Sequence, residues 1–362
     1  MKYKLILFIF LMINFSAIGQ VRQILKQNKF NSALFKSYEL EIKKKWFDSS
    51  KINLSGDVEF VDERADKSKL GFVRMGDKLL YYNIILPAGN VEYINSKFQH
   101  VVKKTNNQSK LQIVIRHLWM SHFITNINPN KKAASVKEYI SYCYFKADYY
   151  REKDGMAQFL GQLDTVINRV GWMGLTSDDL IKRTLVTALT VCDSLVSSST
   201  NPFFSARLLS DSLENQFNYP ILKTNEPKKG IYRNYEDFLN NNPLKVDFEV
   251  ESDKKETYLL SNTVDTGVTN AAWGYSDGKD IYRHLNESYY KMNRVQNTFE
   301  LAGPRVITKI FTKDQIFFDM AINSFFWGLS GGLMTFVFYL SEEKRMKELV
   351  PYQLNIKEGT FY

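Results

Sequence analysis

Strand-like patterns of hydrophobic and polar positions dominate the first half of the chain, and in residues 111–120 both faces are substantially apolar, which predicts a central strand. The predicted strands cover residues 38–44, 57–61, 70–75, 79–86, 111–124, 136–151 and 157–168. The dipeptide Gly76-Asp77, which separates two of them, is typical of a hairpin turn. A helix is predicted over residues 91–102. Only short polar segments separate the last three strands. We therefore expect these strands to form an antiparallel meander.

A change from alternation to helical spacing marks the segment that follows the meander. Ser177 is the predicted N-cap of this helix, and Asp178 and Asp179 lie in its first turn, where the helix dipole favours negative charge. Apolar residues then recur every three or four positions, at Ile181, Leu185, Ala188, Leu189, Cys192, Leu195 and Val196. We expect this apolar stripe to pack on the meander.

Prolines and polar residues over 201–229 predict a linker that contains one short helix near 205–215. Beyond it, shorter alternating segments and the turn dipeptide Asp277-Gly278 predict a small β module. The candidate core of this module consists of its large aromatic residues, Trp273, Tyr282, Tyr290 and Phe299.

These elements predict an α+β fold in two parts. The first part, residues 20–200, is an antiparallel sheet with packed helices. The second part, residues 230–362, is a smaller, mainly antiparallel β domain that includes a hydrophobic segment near its end. The linker over 201–229 separates the two parts.

The hydrophobic segment Met320–Leu340 contains 21 residues and no charge, which is long enough for a transmembrane helix. Gly328 and Gly332 have the spacing that lets two such helices approach closely. However, Asn323 and Ser324 reduce the hydrophobicity, and a buried strand, glycine turn and second element would use the same residues. The sequence leaves both structures open.

Residues 1–19 have the three parts of a secretory signal peptide. Lys2 and Lys4 supply the positive start, Leu5–Phe15 form a short apolar core, and the small residues of Ser16–Gly19 form the cleavage site. Cleavage after Gly19 would leave Gln20 as the first mature residue. An uncleaved anchor helix is the alternative, although the apolar core is shorter than a bilayer requires. We expect export to the periplasm or cell envelope, or secretion.

The chain carries a formal net charge of +9, and its basic residues are clustered in short runs. These runs border predicted elements, at Lys43-Lys44-Lys45, Lys103-Lys104, Lys131-Lys132 and Lys228-Lys229. They are interpreted as solvated ends of elements, or as contacts for an anionic partner such as lipid headgroups or a polysaccharide. Export argues against nucleic acid as the partner.

Two cysteines, Cys143 in a predicted strand and Cys192 in the predicted helix, are either buried thiols or a disulfide. An acyl anchor of the lipoprotein type is not expected, because no cysteine lies near the cleavage site. Metal binding is not expected either, since the histidines lack neighbouring ligands at suitable spacing. These histidines are His100, His117, His122 and His284. We find no nucleotide- or cofactor-binding motif.

Few residues are candidates for catalysis. His117 shares its predicted strand face with Ile115 and Trp119, which indicates either a hydrogen-bonded core residue or a catalytic one. Ser330 lies in a Gly-Leu-Ser-Gly-Gly run that formally matches a nucleophile elbow. No histidine follows it, since the last one is His284, and an α/β-hydrolase triad requires one. The tyrosine-rich strand 136–151 is either an aromatic sheet face or the wall of a pocket.

Residues 228–303 carry a recurring set of motifs. They are Gly230-Ile231-Tyr232, Glu236-Asp237-Phe238, Asn241-Asn242-Pro243, Trp273-Gly274 and Asp277-Gly278-Lys279-Asp280-Ile281-Tyr282. In this order they resemble a module of exported proteins of the Bacteroidota that has no assigned activity. Separately, the long strands and closing helix of residues 100–200 resemble the α/β modules of envelope auxiliary lipoproteins in pattern alone.

Two functional hypotheses follow from the sequence. The first is an exported envelope protein that binds or scaffolds an envelope protein or a cell-surface polymer, with membrane association through Met320–Leu340 if that segment spans a bilayer. The second is an exported hydrolase of glycans or peptides with a site between its domains, where clefts commonly form. The sequence assigns no catalytic residue, cofactor or metal to either hypothesis.

Overall fold

The computed structural model describes residues 30–47, 54–55, 57–75, 80–87, 91–99, 102–103, 109–127, 137–171, 173–252, 258–261, 272–285, 288–304 and 349–362. They form two compact units, each discontinuous in sequence. The larger unit contains the described parts of Ser32–Leu222 together with Arg294–Thr298 and Leu354–Tyr362. The smaller unit contains the described parts of Lys223–Asn293 and Phe299–Gln353, with Phe30 and Asn31.

The larger unit mixes ten strands with helices among its described residues. The strands are β1 (Lys36–Glu39), β2 (Leu54–Ser55), β3 (Asp57–Asp62), β4 (Gly71–Met75), β5 (Leu80–Ile85), β6 (Val102–Lys103), β7 (Lys110–Ile127), β8 (Lys137–Lys153), β9 (Met156–Gly171) and β10 (Phe203–Ser205). The α-helices are α1 (Glu92–Phe98), α2 (Met173–Ser198), α3 (Ala206–Asn215) and α4 (Pro220–Lys223), the last of which ends in the first residue of the smaller unit. Helix α3 confirms the predicted short helix.

The main sheet has the strand order β1-β5-β4-β7-β8-β9-β10, and β3 also pairs with β7. Strands β7, β8 and β9 form the predicted antiparallel meander. The expectation of a purely antiparallel sheet is wrong, because β3 and β4 run parallel to β7, and β1 runs parallel to β5. Parallel pairing needs a long crossover connection, and the periodicity of a strand does not reveal its direction. The sheet is therefore mixed.

Helix α2 covers one face of the meander, which we call the inner face. Its apolar stripe is buried, and the Tyr149 hydroxyl of β8 donates a hydrogen bond to the carbonyl of Ala188, 2.9 Å away. The helix begins at Met173, so the predicted N-cap at Ser177 is wrong. Ser177 is buried inside the helix. One additional helical turn precedes it, although local capping preference favours Ser177 itself as the N-cap.

An extra residue interrupts the pairing of β7 with β8. Ile115 pairs with Ala147, and His117 pairs with Lys146, so Arg116 has no partner in register. Such a β-bulge shifts the alternation of side chains by one position for the rest of the strand. Before Arg116 the odd-numbered side chains of the strand therefore face the core, and after it the even-numbered side chains do.

This bulge corrects the predicted faces of β7. Leu118 and Met120 join the buried core on the inner face, whereas His117 and Trp119 lie on the opposite face, which we call the outer face. The predicted grouping of His117 and Trp119 with Ile115 is therefore wrong. The ring of Trp119 packs edge-on against Phe72 at a centroid distance of 5.3 Å.

The smaller unit is mainly β, as predicted for this part of the chain. Its strands are β11 (Gly230–Tyr232), β12 (Glu249–Ser252), β13 (Tyr258–Ser261), β14 (Gly274–Ser276), β15 (Ile281–Leu285), β16 (Ser288–Val295), β17 (Thr298–Pro304) and β18 (Leu349–Gln353), and its helix is α5 (Tyr235–Leu239). The sheet order is β11-β14-β15-β16-β13-β12, and β17 pairs with β16 and β18. The four predicted core aromatics are confirmed, since each is buried.

Motif residues of this unit support its local backbone. Gly230 has φ +147, and a Cβ there would lie 2.5 Å from the carbonyl oxygen of Leu244. The Tyr232 hydroxyl donates to Oδ1 of Asn241 at 3.0 Å, and that oxygen also accepts from the Lys228 amide. Gly230, Tyr232 and Asn241 therefore stabilise the local backbone of this unit.

Within the described ranges, no helix is both long and apolar enough to cross a bilayer. Met320–Leu340 and residues 1–19 lie outside those ranges, as do Gly76-Asp77 and Ser330. Strands β4 and β5 are nevertheless paired as the predicted hairpin.

Truncation of a buried α2 side chain should destabilise the larger unit. We expect Leu185→Ala to cost roughly 2–5 kcal/mol, because Leu185 is fully buried and its removal leaves a cavity. Thr190→Ala on the exposed face of the same helix is the control and should cost about 0.5 kcal/mol or less. Urea unfolding followed by circular dichroism measures both. Equal midpoints for the two variants would contradict the assigned helix face.

Candidate functional site

The outer face of the meander gathers polar and aromatic side chains that are far apart in sequence. The bulge presents Arg116 and His117 on this face, next to each other. Strand β8 adds alternate residues to it, namely Tyr142, Tyr144, Lys146, Asp148 and Tyr150. The segment Leu354–Tyr362 contacts the same face. We describe this surface as the candidate functional site.

A hydrogen-bonded ion pair occupies the centre of the outer face. Arg116 Nε donates to Asp148 Oδ2 at 2.6 Å, and both side chains are nearly buried. The other carboxylate oxygen, Oδ1, accepts from Gln162 Nε2 at 2.7 Å. Arg116 Nη1 donates to Gln216 Oε1 at 2.8 Å. Because charged groups this well buried need partners, this network ties β7, β8 and β9 to the end of α3.

Lys357 brings a second cation to the same amide oxygen. Its Nζ donates to Gln216 Oε1 at 2.7 Å and lies 5.5 Å from the centroid of the Phe217 ring. Burial of the ammonium, followed by the charge of Arg116, lowers the pKa of Lys357 to about 8. Lys357 as a whole residue is exposed, so solvent weakens this effect. Gln216 is thus the common partner of two cations.

A third cation, Lys146, is held between two carboxylates. Its Nζ lies 2.6 Å from Glu358 Oε1 and 3.2 Å from Asp164 Oδ2. The hydrogen bond to Glu358 raises the pKa of Lys146. Lys146 therefore remains charged at neutral pH, and its charge is compensated locally.

Four rings form a continuous line across the outer face, which we call the aromatic row. The His117 ring lies 4.2 Å from the Tyr362 ring, and the Tyr362 ring lies 4.8 Å from the Tyr144 ring, measured between centroids. Tyr142 follows at 6.2 Å from Tyr144, with an angle of 24° between the two ring planes. Such tilted and offset arrangements are the favourable ones for aromatic pairs.

His117 is uncharged in this environment. Burial, then the positive charges of Arg64 and Lys146, lower its pKa from 6.5 to about 3. Its Nε2 is buried and has no hydrogen-bond partner among the described residues. The imidazole therefore serves as an aromatic ring against Tyr362, and it accepts a proton poorly at neutral pH.

The cysteines lie on the inner face and not at the outer site. Cys143 and Cys192 are both buried and are not joined by a disulfide. Burial raises the pKa of Cys143 to about 12, so its thiol is protonated at neutral pH. Neither position is accessible to a substrate on the outer face.

Other sequence candidates belong to the smaller unit. His284 stacks on Tyr289 at 4.7 Å in the smaller unit, beside Arg283, which lies 4.5 Å from the Trp273 ring. Lys229 lies over the Phe248 ring at 5.6 Å. His100, Lys131 and Lys132 fall outside the described residues, as does the side chain of His122. In the part of the chain that is described, no three His, Cys, Asp or Glu residues are placed to hold a metal ion.

Sequence reasoning missed the main partners at this site. Gln216 and Lys357 are 141 residues apart, and Lys146 and Glu358 are 212 residues apart. No local pattern connects such residues. The two adjacent polar residues Arg116 and His117, between the apolar runs 113–115 and 118–120, are the signal that could have indicated the bulge.

Comparisons with known proteins add little to this picture. No family model matches the chain, and no curated protein matches it. A crystal structure of a Xanthomonas campestris protein of the DUF330 family is 14% identical over a match that covers 50% of this chain and 99% of that one, with a TM-score of 0.24. At that score the likeness supports no argument about fold or function.

The state of the two cysteines gives a direct test of the inner core. We expect a maleimide reagent to leave both thiols of the native, unreduced protein unlabelled, because Cys143 and Cys192 are buried. In guanidinium chloride without reductant, both should be labelled. Intact-mass spectrometry counts the labels. Labelling of the unfolded protein that requires prior reduction would show a disulfide and contradict the structure.

Proposed function

We propose that the protein is an exported component of the cell envelope that acts by binding or scaffolding and not by catalysis. The observation that carries the proposal is that Arg116 and Lys146, on the outer face, are each neutralised by a carboxylate. The Arg116–Asp148 pair and the contact between Lys146 and Glu358 leave these groups engaged with protein partners. The signal peptide predicted over residues 1–19 supports the assignment to the envelope.

The pKa values of His117 and Cys143 favour binding, whereas the pKa of Lys357 is lowered to about 8, which is nearer to neutrality. General acid–base catalysis works best when the pKa of the group lies near the working pH. The pKa of His117 lies near 3, and that of Cys143 lies near 12, so both lie far from neutrality. Neither side chain has the protonation behaviour of a general base or a thiolate nucleophile.

The smaller unit supports the same proposal. Its motif residues, such as Gly230, Asn241 and Gly274, are used to close turns and to bring strands together. Asp277 accepts hydrogen bonds from the amides of Lys279 and Asp280 and so stabilises a tight turn. The motif residues that resemble an exported module without assigned activity therefore stabilise the fold of this unit.

The proposal has two forms, which differ in whether the segment Met320–Leu340 spans a bilayer. If this segment spans a bilayer, the protein is attached to a membrane by its own chain. If the segment is packed within the protein, the protein acts in the periplasm or is attached through its partner. In both forms the fold is α+β, with a mainly antiparallel β part after residue 230.

The proposal predicts export followed by cleavage. When the full chain is expressed with its own leader in a Gram-negative host, the mature protein should begin at Gln20 or within about two residues of it. Protease added to spheroplasts should degrade the protein, whereas a cytoplasmic marker should survive. Mass spectrometry of the purified protein and immunoblotting provide the two measurements.

A protein that retains Met1 and resists protease in spheroplasts would contradict the proposal. Carbonate extraction of the membranes separates its two forms, because a spanning helix stays in the membrane and a peripheral protein is released. A chain in which Met320–Leu340 is replaced by a Gly/Ser linker is the matched control for membrane retention.

A further inference from the structure

Two lysines of the outer face have opposite surroundings. Lys146 lies between the carboxylates of Glu358 and Asp164, at 2.6 Å and 3.2 Å. Lys357 bonds instead to a neutral group, the Oε1 atom of Gln216, at 2.7 Å. It forms no ion pair with a carboxylate in the part of the chain that the structure describes. Of the two ammonium groups, the one with direct carboxylate contacts is therefore that of Lys146.

A second cation adjoins the ammonium of Lys357. Nη1 of Arg116 donates to the same Gln216 oxygen at 2.8 Å, so two positive groups share one neutral acceptor. Burial, followed by the charge of Arg116, lowers the pKa of Lys357 to about 8 and so increases the fraction of neutral amine. The weaker charges that act on this amine are, in decreasing order, those of Asp148, Glu63 and Lys146.

We propose that Lys357 is a site of reversible carboxylation by dissolved carbon dioxide, a reaction that does not depend on the proposed binding function. Lys357 is an exposed residue, so a small solute can reach it. The lone pair of the neutral amine attacks the carbon of CO2, an N–C bond forms, and one C=O electron pair moves onto oxygen. The nitrogen then releases a proton to water, which leaves a carbamate, –NH–COO⁻. No oxidant, reductant or leaving group takes part.

Charge selects carbon dioxide among the electrophiles that react with amines. An acylating reagent leaves a neutral amide at Lys357, and an aldehyde leaves an imine that can carry the same positive charge as the lysine. Carboxylation instead places a negative charge where the ammonium stood, so the repulsion by Arg116 becomes an attraction. Because a cation is replaced by an anion, the charge of the outer face would depend on the concentration of dissolved CO2.

Carbon-13 NMR tests the proposal with the full mature chain. In a sealed tube with ¹³C-labelled bicarbonate at about pH 7.5, the wild type should show a carbamate resonance apart from those of bicarbonate and CO2. Lys357→Arg keeps the positive charge but forms no stable carbamate, so this resonance should be lost. Lys146→Arg is the matched control and should retain it. The α-amino group has a pKa near about 8, so its own carbamate should remain in both variants. Circular dichroism should show that both variants remain folded.

Chemical trapping identifies the carboxylated residue. A trialkyloxonium salt converts a carbamate into a stable ester, which peptide mass spectrometry locates in the chain. We expect roughly tenfold or more ester on Lys357 than on Lys146, because each unit of pKa changes the neutral fraction of an amine about tenfold.

Three results would overturn the carboxylation proposal. They are the absence of a carbamate resonance, a spectrum of Lys357→Arg that equals that of the wild type, and equal trapping on Lys357 and Lys146. The export experiment is independent, since a cleaved, exported protein without an adduct at Lys357 would leave the proposed envelope function standing.

Discussion

The extra residue at Arg116 in β7 determines which side chains of this strand reach the core of the larger unit. Without the bulge at Arg116, strict alternation would place Leu118 and Met120 on the outer face and His117 against α2. With it, the apolar residues on both sides of the bulge reach one continuous core, and two adjacent polar residues share the outer face. The bulged residue then forms an ion pair with Asp148 of the neighbouring strand, at 2.6 Å.

The rest of the outer face depends on this placement. His117 can meet Tyr362 because the bulge presents its ring outward, and Tyr362 in turn contacts Tyr144. Arg116 fixes Gln216 from one side, and Lys357 approaches the same oxygen from another. The segment that follows β18 is thus attached to the sheet through several modest contacts. The result is a polar surface with partly exposed rings, on which Arg116 and Lys146 are paired with carboxylates.

The longest elements of this fold could be predicted because each has a strong local period. The long strands of the meander, the apolar stripe of α2 and the aromatic core of the smaller unit all leave a repeating pattern in the sequence. The direction of β3 and β4 could not be predicted, since a strand has the same alternation in a parallel and an antiparallel pair. The first residue of α2 was predicted wrongly because Ser177 is a good N-cap residue but is buried one turn inside the helix.

The candidate site could be predicted only in part. The outward tyrosines of β8 follow from alternation, and an aromatic sheet face was one of the two expected structures. The bulge was not foreseen, because one inserted residue changes the face of a side chain without changing composition. The contacts of Lys357 and Glu358 join residues more than a hundred positions apart, and such contacts follow from tertiary packing alone.

The protonation of His117 tests most directly whether the outer face is a closed, non-catalytic surface. Imidazole ¹⁵N shifts of the labelled protein, with His117→Gln used for assignment, report its charge as a function of pH. We expect His117 to stay neutral between roughly pH 5 and pH 8, since burial, followed by the positive charges of Arg64 and Lys146, lowers its pKa to about 3. Titration of His117 near its ordinary pKa of 6.5 would instead show a solvated imidazole that is available for proton transfer, and the outer face would not be the surface described above.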